Sequence, residues 1–118
     1  MTDLETKQAT FSFWVVKLIL QAHQMGYDVT LGEAWRSDET AALYAKEGKG
    51  IAASNHRLRL AIDLNLFQDG ELLTSTEAYR EFGEWWKAQS SCGYTPCWGG
   101  DFSRPDGNHF SFEHNGVR

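Results

Sequence analysis

The tightest constraint on the fold is the run Leu60-Ala61-Ile62-Asp63-Leu64-Asn65-Leu66-Phe67. Successive side chains of a strand point to opposite faces, so Leu60, Ile62, Leu64 and Leu66 share one face and Ala61, Asp63 and Asn65 share the other. The spacing predicts a strand over 60–67 packed on an apolar core. Asp63 then sits in the middle of an apolar strand, where a carboxylate is costly to bury unless it is paired or bound to a metal. His56 lies in the loop just before and can fold back toward it. One imidazole nitrogen and one carboxylate oxygen make half of a tetrahedral zinc site. A histidine and an aspartate at this distance are also common as ordinary polar residues.

The flanking pattern fills in the architecture. Phe11, Val15, Leu18, Ala22 and Met25 recur at spacings of four and three, which predicts a helix over about 8–25, stopped by Gly26. His23 falls beside that stripe and reads as a partly exposed helix residue. Asp28 to Trp35 reads as a strand, with Val29, Leu31 and Trp35 on one face. Ser37 can cap a helix over about 38–46, with Asp38 and Glu39 favourable in its first turn. Asp69-Gly70 marks a hairpin into a short return strand, Leu72-Leu73-Thr74. Ser75 can cap a third helix, about 76–88, with Tyr79, Phe82 and Trp86 on one face. The glycine-rich stretch from Ser90 to Asn108, which holds both prolines and both cysteines, reads as a loop, and 109–113 as a closing strand. This order predicts an α+β fold: a small antiparallel sheet with about three helices packed on one side. The 118 residues have room for one domain with a single core.

Composition removes several function classes. The chain is 42% hydrophobic and 14% aromatic, which argues for a folded globule. Its net charge of −5, with no basic block, speaks against a nucleic-acid partner. The longest apolar stretch, Phe11 to Ala22, is broken by Ser12, Lys17 and Gln21 and is too short to span a bilayer, so no stable membrane insertion is expected. The acidic start, Met1-Thr2-Asp3-Leu4-Glu5, is unlike a signal peptide, so the product is expected to begin in the cytoplasm. A monomer is expected. Cys92 and Cys97 lack the two further ligands of a zinc loop; they read as two loop thiols, with a disulfide open to them in an oxidising compartment.

The C-terminal stretch Trp98-Gly99-Gly100-Asp101-Phe102-Ser103-Arg104-Pro105-Asp106-Gly107-Asn108-His109 adds a second histidine with an acid three residues before it. With Ser54, His56, Ala61 and Asp63, the chain resembles the zinc D-alanyl-D-alanine peptidases and the related phage L-alanyl-D-glutamate endopeptidases. Their first motif reads Ser-x-His-x-x-Gly-x-Ala-x-Asp, and their second an acid, two residues and His, often after Trp-Gly-Gly-Asp. The resemblance implies a hedgehog-like peptidase fold and a Zn2+ ion on His56, Asp63 and His109, with one position open to water. It implies Asp106 as general base and Arg36, in Glu33-Ala34-Trp35-Arg36-Ser37, as the cation that stabilises the oxyanion. Ser54 and Asp101 would orient the ligands through hydrogen bonds. The implied partner is the peptide stem of peptidoglycan, and the implied setting a phage lysis enzyme that reaches the wall after membrane breach.

Alternatives stay open at this point. Asp106 can instead serve only a Pro-Asp-Gly turn, and Arg36 can pair locally on the surface. Glu113 competes as the acid and His114 as a ligand. The family's motif glycine is Arg59 here, which can touch an acidic substrate group or pack outward. The leading expectation is hydrolysis of the L-alanyl-D-glutamate bond. A D-alanyl-D-alanine carboxypeptidase or dipeptidase, and a non-catalytic wall-binding module, are the competing readings.

Overall fold

Helix α1 (Asp3–Gln24) begins five residues before the start expected at about residue 8 because Thr2 and Glu5 form a capping box, each side chain accepting from the other's backbone N–H. The stripe buries Phe11, Val15, Leu18 and Ala22, and His23 is exposed, as expected. Gly26, at φ 90°, turns the chain into β1 (Asp28–Leu31). The computed structural model describes residues 1–89 and 93–118. Helix α2 (Asp38–Lys46) starts at Ser37, whose hydroxyl accepts from the Thr40 amide. After the 3-10 turn Asn55–Leu58 come β2 (Ala61–Gln68), β3 (Glu71–Leu72), α3 (Thr76–Lys87), β4 (Pro96–Trp98) and β5 (His109–Phe112).

The fold is α+β with a small antiparallel sheet, as the sequence predicts, and the strand order is β1-β2-β5-β4. β2 is its centre. Leu60, Ile62, Leu64 and Leu66 are all buried against the α1 stripe and against Tyr79, Phe82 and Trp86 of α3. Helix α2 buries only Ala41, which lies outside that core. One edge of β2 pairs with β1. The other edge is shared: residues 61–63 pair with β5 and residues 67–68 with β3. Between those two partners the Leu64 amide donates to the Asn108 carbonyl and the Leu66 amide to the Tyr79 hydroxyl.

Two expectations are corrected. The strand expected over Asp28–Trp35 ends at Leu31, because Gly32 and Glu33 both oppose Asp63: the Gly32 amide donates to the Asp63 carbonyl at 2.7 Å and the Asp63 amide to the Glu33 carbonyl at 2.9 Å. Two residues facing one is a β-bulge, which bends an edge strand and re-aims its side chains. Leu31, which shares a face with Val29, is 67% exposed. The stretch expected as loop from Ser90 to Asn108 contains β4 and a 3-10 turn, Gly99–Asp101. Cys97, expected as a loop thiol, is buried on β4; Cys92, its possible disulfide partner, lies outside the described residues.

Trp98 explains several glycines. A Cβ on Gly83 of α3 would stand 2.0 Å from the Trp98 indole, and one on Gly100 would stand 2.2 Å from it. The indole N–H donates to the Gly107 carbonyl at 2.7 Å, so this side chain ties α3 to the turn before β5. Replacing Gly83 by alanine improves helix propensity by about 1 kcal/mol, but overpacking against a rigid ring costs about 1–3 kcal/mol. The ring contact wins, and Gly83→Ala should lower the urea midpoint with an unchanged slope.

Candidate active site

The bulge and the β2–β5 pair bring three predicted residues together. Asp63 lies directly opposite His109 in the register, and His56 reaches them from the 3-10 turn. His56 Nε2 stands 3.3 Å from Asp63 Oδ1, and His109 Nδ1 stands 3.6 Å from the same oxygen. The two imidazoles meet edge to face with centroids 5.2 Å apart. One donor atom from each residue lies within 4.8 Å of the others. Both histidines are buried.

The donor set suits a cation. Asp63 Oδ1 is buried and accepts no well-formed hydrogen bond among the described residues. An unsatisfied buried carboxylate oxygen is costly, and a metal ion removes that cost. Ligands about 2.0–2.1 Å from a tetrahedral zinc stand about 3.3 Å from one another. The two separations from Asp63 Oδ1 are close to that spacing. Burial alone would raise the Asp63 pKa; the imidazoles of His109 and His56 outweigh it and hold it at about 2.

Asp106 sits at the rim, its Oδ2 3.9 Å from His109 Nδ1 and its side chain 54% exposed. Crowding by surrounding atoms raises its pKa, opposed by His109 and reinforced by the Asp63 charge. Its backbone is fixed: the Asp106 amide donates to the Gly99 carbonyl and its carbonyl accepts from the His109 amide. A Cβ on Gly99 would stand 2.1 Å from the Asp106 carbonyl oxygen. The Trp-Gly-Gly sequence thus seats the turn that carries both Asp106 and His109.

Arg36 is 11% exposed, lies over the Tyr44 ring and pairs with Glu33. Its amide donates to the His56 carbonyl at 3.2 Å. Glu33 is the residue that sequence reasoning missed. The bulge aims its Oε1 at Arg36, and the same oxygen stands 3.9 Å from His56 Nδ1, which has no hydrogen-bond partner among the described residues. Its carbonyl holds the Asp63 amide. The available signal was its place three residues before Arg36 on the segment that leads from β1 to the site.

The other predicted residues separate clearly. The Ser54 hydroxyl accepts from the His56 amide at 3.2 Å and so holds the backbone of that histidine. Asp101 pairs with Lys87 at 2.7 Å, away from the triad. Glu113 accepts from the Gly116 amide, and His114 Nδ1 lies 3.1 Å from Lys7 Nζ. Arg57 pairs with Asp38. Arg59 packs its guanidinium on Trp35, 5.0 Å from the ring centre. Its φ of 55° is left-handed, which accounts for the glycine that the resembled motif carries there. Asn55, fully buried, donates to the Phe112 and Val117 carbonyls and locks the His56 turn to the C-terminal segment.

A sequence profile of the family described as D-alanyl-D-alanine carboxypeptidase matches residues 47–112, more than half of the chain. The chain belongs to that peptidase family. The matched span holds His56, Asp63, Asp106 and His109 but not Glu33 or Arg36. Among solved structures, the crystal structure of the Serratia marcescens L-Ala D-Glu endopeptidase ChiX superposes with a TM-score of 0.64 at 20% identity, covering 92% of this chain and 85% of that one. It shares the fold. No curated protein sequence matches this chain. No helix among the described residues is long and apolar enough to cross a membrane.

The Asp63 shift sets a pH dependence for the metal-free protein. A carboxylate depressed to about 2 from its ordinary value of 3.8 adds stability that is complete above about pH 5 and is lost as pH falls toward 2. The loss should be on the order of 2 kcal/mol. Denaturant titrations of metal-free protein between pH 6 and pH 2 (roughly the span of the linkage) should show this limb, and Asp63→Asn should flatten it.

Proposed function

We propose that this chain is a zinc-dependent peptidoglycan peptidase that hydrolyses the L-alanyl-D-glutamate bond of stem peptides. The observation that carries the reading is the convergence of His56, Asp63 and His109 on an unsatisfied Asp63 oxygen, within a peptidase family. The choice of bond leans on the fold shared with the Serratia endopeptidase.

His56 Nε2, Asp63 Oδ1 and His109 Nδ1 would hold the ion. When bound there, zinc would lower the pKa of a water to about 7 and polarise the scissile carbonyl. Asp106 takes the proton of the attacking water and returns it to the leaving amine. Its raised pKa brings it closer to the range where a base works best near neutrality. Arg36 supplies fixed positive charge for the oxyanion, a contribution of about 3–4 kcal/mol by comparison with a single oxyanion-hole donor. Glu33 orients Arg36 and faces the rear nitrogen of His56, so it fixes both the cation and a ligand ring.

Purified protein should bind one zinc per chain, by elemental analysis, and His56→Ala should bind none. Digested peptidoglycan should yield new L-alanine C-termini by mass spectrometry. Release of D-alanine would instead establish the carboxypeptidase reading, which the family description favours. Asp106→Ala should keep its zinc and lose about 10²–10⁴-fold in rate; undiminished activity would remove Asp106 as the base. A wild-type protein that binds the wall without cutting it would establish the binding-module reading. Glu33→Gln should weaken zinc binding about 10–100-fold in a competition titration with a chelator.

A further inference from the structure

A second polar cluster lies beside the triad. The fork where β2 changes partner from β5 to β3 opens into a cleft of about 320 Å3, lined among others by Asn65, Leu72, Thr74, Thr76, Asp106 and Asn108. Asn65 and Asp63 are two apart on β2 and share a face. Asn108 immediately precedes His109. The Asn108 side-chain amide donates to Asn65 Oδ1 at 3.3 Å.

That single bond leaves capacity unused. Each carboxamide offers two N–H donors and an acceptor oxygen. Among the described residues, neither the Asn65 NH2 nor the Asn108 oxygen has another partner. The pair therefore presents the Asn65 NH2 group and the Asn108 carbonyl oxygen side by side, the complement of the N–H and C=O that one residue of an extended chain turns to the same side.

We propose that Asn65 and Asn108 form a substrate subsite that grips the backbone N–H and C=O of one residue of an extended peptide, about two residues from the scissile bond. This deepens the peptidase reading above and rests on it. The distance follows from strand geometry: two residues along β2 is about 7 Å, and an extended substrate advances about 3.3 Å per residue. The ligand Asp63 marks the reacting end, and Asp106 lines both the cleft and the triad. Leu72 adds an apolar wall to the same cleft. Asn65 and Asn108 thus act on binding and leave the chemical step to the triad.

The test is a double-mutant cycle between protein and substrate. A synthetic stem pentapeptide and analogues carrying one thioamide, a weaker acceptor than an amide, at a time are assayed with wild type, Asn65→Leu and Asn65→Asp. Asn65→Leu should raise KM about tenfold, as expected for one lost hydrogen bond, with kcat changed less than about twofold. One thioamide analogue should raise KM with wild type and have no further effect with Asn65→Leu. Asn65→Asp keeps the shape and loses the donor, so it should raise KM likewise. Zinc content and melting temperature should stay at wild-type values. Cleavage by wild type with additive effects for every analogue overturns the subsite and leaves the peptidase reading standing. Calorimetric binding of the pentapeptide without cleavage, weakened by Asn65→Leu, overturns the peptidase reading and leaves the subsite.

Discussion

The arrangement depends on where the Asp63 backbone sends its hydrogen bonds. Its amide and carbonyl both turn toward the Gly32–Glu33 bulge. On the opposite edge it faces His109 with no hydrogen bond between the two. Non-hydrogen-bonded antiparallel pairs bring side chains closest, with Cα atoms about 4.5 Å apart. The bulge thus uses up Asp63 on one edge and leaves its carboxylate pressed against an imidazole on the other. A Cβ at position 32 would stand 2.9 Å from the Asp63 carbonyl oxygen, so glycine is what permits this approach.

The two faces of β2 divide the work. Leu60, Ile62, Leu64 and Leu66 anchor one face in the aromatic core, with Trp86 stacked near Phe112 and Phe11 edge-on to both. A slip of one residue would turn that apolar row outward and carry Asp63 into the core. The same burial that stabilises the strand therefore fixes the register of the ligands. Further along the ligand face, Asn65 and the fork between β5 and β3 extend the polar surface away from the triad. Core packing and site geometry are two readings of one alternation.

Much of this was legible in the sequence because it is periodic or locally capped. The stripe of α1, the serines that cap α2 and α3, the Asp69-Gly70 hairpin and the β2 alternation all rest on short-range rules, and the structure follows them. The three proposed ligands were reachable through their motifs, and they converge. The start of α1 was placed late, at about residue 8, although Thr2 and Glu5 stand three apart as a capping box. Other features had no local signature. β4 is three residues long and begins at Pro96, so its strand character comes only from pairing with β5. The bulge exists because Gly32 and Glu33 meet Asp63, thirty positions on, and Glu33 gains its place through that meeting. Asn55 looked like a loop residue until the distant Phe112 and Val117 carbonyls closed on it.

Arg59 shows how a motif position can change without moving the site. A non-glycine residue in the left-handed region costs roughly 1–2 kcal/mol, and Arg59 accepts that conformation at the end of the His56 turn. Its side chain is exposed and lies on Trp35, a contact worth about 0.5–1 kcal/mol at the surface. The stacking offsets part of the strain. What the position demands is a backbone angle that swings Leu60 into the core just after His56 has been placed, and the space around it is open enough for a long side chain to leave. The glycine of the motif is therefore a conformational requirement, and a residue that bears the strain with an aromatic partner at hand meets it.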